Sequence, residues 1–186
     1  GTAAGPDRAL IAAARPHLEA LALGLPETVN LVERVGTTAR YLFSAEGPQL
    51  LRVGNRAGTV LPAHLSSAGK AILSTLSDSA VGHLYTRQPQ PGTSGAVRLP
   101  ELLSELQEVR RLGYAVNMGG TEAGLAAVGV PVSASQRHQA SLGISVSAPL
   151  DRAERIRETP TLKTLMAAGR DLARSLDTAG LAPGTS

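Results

Sequence analysis

Two segments of this chain hold the residue types that could bind or transform a ligand. They are Leu61–Leu73 (LPAHLSSAGKAIL) and Arg110–Val132 (RRLGYAVNMGGTEAGLAAVGVPV). In the first, Ser67-Ala68-Gly69-Lys70-Ala71 looks like the end of a phosphate-binding loop, where backbone N–H groups and a lysine cradle phosphates. The full pattern needs a glycine where His64 stands and Ser or Thr where Ala71 stands. Both positions fail, so the pattern does not support nucleotide hydrolysis. The same stretch carries Ser67 and His64, the types of a nucleophile and its base. Such triads assemble in space, so a hydrolase using Ser67 or His64 stays open, although no Gly-x-Ser-x-Gly elbow is present. His17, His64, His83 and His138 are far apart, and none has a histidine or carboxylate at metal-ligand spacing. With no cysteine, disulfides, thiolate nucleophiles and cysteine-based zinc sites are excluded. The expectation is no metal and no cofactor. His17 and His138 read as surface residues. His64 lies beside a helix start, either as a neighbour of the cap or as a ligand contact.

In the second segment a helix ending in RRLGYAVN runs into glycines and then a small-residue apolar strand. Gly119, Gly120 and Gly124 could form an anion-binding nest, but a turn between two strands is the simpler reading. Further on, Gln139–Ala148 alternates. Leu142, Ile144 and Val146 fall on one face, and Ser141, Gly143, Ser145 and Ser147 on the other. The serine row is either a solvent-facing side or a pocket wall. Its small, uncharged character favours the pocket, since exposed strands more often carry Lys, Glu or Thr.

The elements that must position these residues are legible in outline. Apolar spacing from Asp7 through Ala22 predicts a helix ended by Leu25-Pro26. Thr28–Val35 and Ala39–Ala45 read as a hairpin joined at Gly36-Thr37-Thr38, and Leu50–Val53 as a third short strand. Ser66 or Ser67 caps a helix through Leu76, and Ser77-Asp78 opens another ending near Tyr85. The stretch QPQPGTSGA, residues 88–96, reads as a surface loop. Leu99–Leu112 is an amphipathic helix with Gly113 as its left-handed cap. Tyr114–Asn117, Gly124–Ser133 and Gln139–Ala148 read as strands. A last helix starts at Thr159-Pro160, cap then proline. The order predicts an α+β domain around a mostly antiparallel sheet.

The bulk numbers fit one soluble domain. The chain has 186 residues, 42% hydrophobic and 18% charged. Aromatic residues make up only 2%, so the core must rest on Leu, Val, Ile and Ala, and few rings exist for bases to stack on. A net charge of +3 from scattered basic residues is far from a nucleic-acid-binding surface. No apolar run approaches the roughly 18 residues needed to span a membrane. A cytoplasmic protein is expected.

Four motifs in register carry a resemblance. They are Leu61-Pro62-x-His64-x-Ser66-x-Ala68-Gly69-Lys70-Ala71, Arg110-x-x-Gly113-Tyr114-Ala115, Gly124-Leu125 through Pro131-Val132, and Ser145-Val146-Ser147-Ala148-Pro149. Together they resemble the effector-binding domain of the IclR family of bacterial transcriptional regulators, over roughly Asp7 to Leu176. The resemblance implies a GAF-like fold: a curved, mostly antiparallel sheet of about six strands flanked by helices. The domain would run over residues 7–178; residues 1–6 read as a disordered terminus or a cloning remnant, and residues 179–186 as a disordered tail. The resemblance also implies a homodimer or homotetramer that meets operator DNA only through an N-terminal winged helix-turn-helix absent from this chain. A small organic effector, a carboxylate or aromatic metabolite, would be held on one face of the sheet. By position, Leu50, Val53, Ser67, Ala68, Asn117, Leu125, Ala127, Ser145 and Ser147 would line it. No catalysis is expected. Family members often carry Asp where Asn117 stands, followed by acidic residues; here Met118, Gly119 and Gly120 follow. Asn donates as well as accepts, so effector identity does not carry over. The alternatives are a GAF-type sensor of another signalling protein, a small hydrolase and a dimerising scaffold.

Overall fold

A computed structural model describes residues 5–87, 97–135 and 138–181. The expectations for residues 1–4, 88–96 and 182–186 lie outside these. The chain runs α1 (Gly5–Gly24), β1 (Thr28–Val35), β2 (Thr38–Ala45), β3 (Val60–Pro62), α2 (Ser67–Leu73), α3 (Asp78–Arg87), α4 (Leu99–Leu112), β4 (Ala115–Met118), β5 (Leu125–Pro131), β6 (Leu142–Pro149), α5 (Ala153–Ile156) and α6 (Thr159–Thr178). The strands form one antiparallel sheet in the order β3-β2-β1-β6-β5-β4. This is the α+β, GAF-like architecture expected from the sequence.

Strand alternation gives the sheet two different faces. On one, Val29, Leu31, Val128, Val130, Ile144 and Val146 pack with Leu18 of α1 and Leu165 and Leu172 of α6 into the main core. Leu31 faces Phe43 and Val32 faces Tyr41, so Leu42 is the extra residue of a bulge. The other face is covered by α2, with α4 stacked outside it through Leu102 and Leu106. Here Thr28, Asn30, Ser145 and Ser147 point into the protein, all at most 2% exposed. Glycine lets α2 lie this close: a Cβ on Gly129 would stand 2.5 Å from the Ala68 nitrogen.

Four expectations need correction. Leu50–Val53 is not a strand: the third strand is Val60–Pro62, paired with Thr38–Arg40. Gly47-Pro48 turns the chain out of the ladder, and Arg52 binds Glu46 (2.8 Å) and the Gln49 carbonyl (2.9 Å), so the segment satisfies itself as a loop. The helix expected through Leu76 ends at Leu73. At the ends, Gly5 and Pro6 already belong to α1, and the Leu181 N–H donates to the Leu176 carbonyl at 2.8 Å. The α6 cap is Glu158, with Thr159 and Pro160 inside the first turn.

Candidate functional site

The most concentrated polar chemistry lies on the sheet face beneath α2. Strand pairing sets Asn30 opposite both Ser44 and Ser145, and Thr28 opposite Ser147. The Asn30 amide donates to Ser145 Oγ at 3.1 Å and to Ser147 Oγ at 3.0 Å. Its carbonyl accepts from Ser44 Oγ at 2.7 Å. All four residues are buried. Buried polar groups carry this cost only when something needs them there or when they satisfy one another.

The segment between β2 and β3 crosses this face as a strap. Its Arg56 N–H donates to Ser44 Oγ (2.9 Å), and the Thr28 hydroxyl donates to the Val53 carbonyl. The Arg56 guanidinium sits 5.1 Å from the centre of the Tyr41 ring and pairs with Glu122 in the β4–β5 turn. Since β2 and β4 lie toward opposite sides of the sheet, the Arg56–Glu122 pair ties the strap across it. Burial, the largest influence, pushes the Tyr41 phenol above its ordinary 10.0, while its bond to Ser66 and the Arg56 charge act the other way.

At the start of α2, Ser66 is the cap, its hydroxyl accepting from the Gly69 N–H at 3.1 Å. Ser67, 2% exposed, has a buried hydroxyl with no hydrogen-bond partner, as does Arg56 at Nε. Native proteins leave few such groups, and each calls for a reason.

The structure brings together most of the residues named from sequence. Ser67 and Ala68 from α2, Ala127 from β5, and Ser145 and Ser147 from β6 converge, with Asn117 and Leu125 toward the β4 side. Asn117 is engaged there, donating to the Leu65 carbonyl (3.1 Å) and to Thr121 Oγ1 (2.8 Å). The two strap residues differ. Val53 is half-buried and its backbone carbonyl accepts from the Thr28 hydroxyl, whereas Leu50 is 99% exposed and does not line this face. Ser145 and Ser147 are buried and their hydroxyls accept from Asn30, while Ser141 is half-buried and its hydroxyl has no partner. Asn30, Ser44, Thr28, Arg56 and Glu122 were missed by sequence reasoning. The available signal was Asn30 itself, an amide in the middle of the apolar strand TVNLVERV.

Other candidates resolve differently. Lys70 donates to Glu105 Oε1 (2.7 Å) and the Val116 carbonyl (3.1 Å), which leaves it no phosphate-binding role. The Gly119 N–H is used by the Leu125 carbonyl at 2.9 Å, as a turn requires. Gly119 and Gly124 have φ of 79° and 78°, the left-handed region glycine favours. His64 stands edge-on to Tyr85, ring centres 5.9 Å apart, and does not activate Ser67. Among the described residues no group of three metal-ligating side chains comes together, and no helix is long and apolar enough to cross a membrane.

Comparison with known proteins agrees with this architecture. The family model "Bacterial transcriptional regulator IclR C-terminal" matches residues 4–174. The HTH-type transcriptional repressor AllR of Escherichia coli is 34% identical over 113 residues, covering 60% of this chain and 42% of its own length. The Pca regulon regulatory protein of Pseudomonas putida is 30% identical over 171 residues, covering 90% of this chain and 58% of its own. The chain thus spans about half the length of the curated relatives it matches. Among solved structures, the Thermotoga maritima IclR superposes with a TM-score of 0.75 at 25% identity, over 90% of this chain and 68% of that one, and a putative transcriptional regulator from Rhodococcus sp. RHA1 with 0.76 at 25% identity, over 91% and 68%. These relatives are transcriptional regulators, in a family that is not enzymatic, which sets the hydrolase alternative aside.

Proposed function

This chain belongs to the IclR C-terminal family of bacterial transcriptional regulators, and on that premise we propose that it is the effector-sensing part of such a regulator. The effector is a small organic molecule, a carboxylate or aromatic metabolite, received on the sheet face between α2 and the 46–59 strap. Two observations support this reading: a buried polar cluster is centred on Asn30, and the start of α2, which lies on Gly129 beside Ser145, carries a buried Ser67 hydroxyl with no protein partner. A ligand oxygen there would satisfy Ser67, and Arg56 Nε offers a second unused donor suited to a carboxylate. Ala127 and Leu125 supply apolar contact beside them. Entry requires the strap to lift, which breaks the Arg56–Glu122 pair.

The effector acts by population shift. It stabilises one arrangement of strap and α2, and the coupling of about 1–3 kcal/mol typical of such systems passes to a DNA-binding domain outside this chain. A homodimer or homotetramer in the cytoplasm would carry the change to operator DNA. Thermal-shift screening of small carboxylates and aromatic acids tests the reading. A ligand at 100 times its dissociation constant adds about 2.7 kcal/mol. That corresponds to roughly 5–11 °C for a domain of this size. The shift should shrink in Leu125→Arg, which places a charge at the rim of the face. An equal shift in that variant would put the site elsewhere, and no shift across a broad panel would favour a scaffold without a ligand.

A further inference from the structure

A separate cavity of about 290 Å³ opens at the other end of α2. Its floor is apolar, formed by Val109 of α4, Val130 and Pro131 at the end of β5, and Met166 of α6. Two glycines allow this wall to form. A Cβ on Gly169 would stand 2.5 Å from the Pro131 carbonyl oxygen, so α6 lies directly on β5. Gly113, at φ 87°, leaves 3.1 Å between its would-be Cβ and Met166 Sδ.

The polar part of the lining combines the hydroxyl residues Ser74, Thr75, Ser133 and Ser135 with two cations, Arg110 and Arg170, and no acidic side chain. The two arginines differ in their commitments. Arg110 Nε donates to the Ser74 carbonyl (2.8 Å), Nη2 to the Leu76 carbonyl (2.9 Å), and Nη1 pairs with Asp78 (3.0 Å). It is a fixed wall that offsets the partial negative charge of the α2 C-terminus. Arg170 is exposed at the rim and, among the described residues, has neither an ion pair nor a hydrogen bond. One free guanidinium above an apolar floor suits a planar carboxylate held by two parallel hydrogen bonds, with hydrocarbon behind it. A phosphate carries more charge than this one uncommitted group answers.

We propose that this cavity is a second ligand site, distinct from the Asn30 face, for a small carboxylate with an apolar body. The carboxylate sits on Arg170, and the body lies against Val109, Val130 and Met166. The volume falls at the small end of ligand pockets, which run from ~300 to 1,000 Å³. The inference does not depend on what binds the Asn30 face.

The two methionines make the test direct, because Met166 lines the cavity and Met118 does not. Isotope-labelled methionine methyl groups give one NMR signal at the site and one away from it. Benzoate is the probe, and benzylamine is the cation of the same shape. The Met166 signal should shift saturably with benzoate, with a dissociation constant of about 1 mM or below, while benzylamine leaves it unmoved. Arg170→Gln, a change at an exposed position, should weaken benzoate about tenfold. An unmoved Met166 signal, a shift that never saturates, equal binding to Arg170→Gln, or an equal response to benzylamine would each overturn the proposal.

Discussion

Replacing Asn30 with leucine, close to it in shape, is the sharpest probe of the polar cluster. The Asn30 amide supplies the hydrogen bonds of Ser145 and Ser147 (3.1 and 3.0 Å), and its carbonyl receives Ser44 (2.7 Å). In Asn30→Leu, Ser44 keeps the Arg56 N–H at 2.9 Å, but the hydroxyls of Ser145 and Ser147 lose the partner seen in the structure. An orphaned buried polar group costs about 1–3 kcal/mol. Two of them give roughly 2–6 kcal/mol, and free rotation of hydroxyls favours the lower half, about 3 kcal/mol. For a chain of this length that lowers Tm by roughly 6–12 °C. Adding Ser145→Ala and Ser147→Ala to Asn30→Leu removes the orphans and should recover most of the loss, since matched removal of both partners is nearly neutral. Thermal and urea unfolding followed by circular dichroism measure both steps. If Asn30→Leu stays within about 0.5 kcal/mol of the parent, the level of an ordinary surface change, the cluster is not the desolvated network described here.

Three further outcomes follow from the same structure. Gly129→Ala places a Cβ 2.5 Å from backbone atoms of Ser67 and Ala68, so it should cost about 1–3 kcal/mol or more and displace the start of α2; unchanged stability by urea denaturation would contradict that packing. Arg152→Gln leaves the buried Glu27 carboxylate without its bidentate partner and frees the Leu51 carbonyl. Because Arg152 itself is partly exposed, the expected loss is about 2 kcal/mol, below the ~3–5 of a fully buried pair, with faster amide exchange near Leu51. Burial holds the His64 pKa below its ordinary 6.5, with Glu105 acting to raise it and Lys70 to lower it. The fold therefore favours the neutral ring: this contribution is complete above the unfolded value and lost as pH falls below 6.5. His64→Gln should flatten that part of the stability–pH curve, and an unchanged slope would remove His64 as its source.

Much of the fold was legible because local pattern and global packing agree. Leu99–Leu112 with its Gly113 cap, and the alternation of β6, were readable since helix and strand periods are strong signals. Leu50–Val53 misled because Leu-Leu-Arg-Val has the composition of a strand, while the loop is fixed by Arg52 contacts that no local pattern encodes. The site was legible as a serine row and a helix start. Its centre was not. Asn30 lies 115 residues from Ser145, and Arg56 lies 66 from Glu122. Strand order decides those meetings, and sequence spacing carries no trace of it.

The effector reading turns most directly on the Ser67 hydroxyl. The measurement is titration calorimetry of a carboxylate or aromatic acid, found by thermal shift, against the parent and Ser67→Ala. Removing a buried hydroxyl that has no protein partner should leave stability equal or slightly higher, while loss of its bond to the ligand weakens binding about tenfold. Equal affinity in the two proteins would contradict the account. So would a loss of stability in Ser67→Ala, because the hydroxyl would then serve the fold and not a ligand.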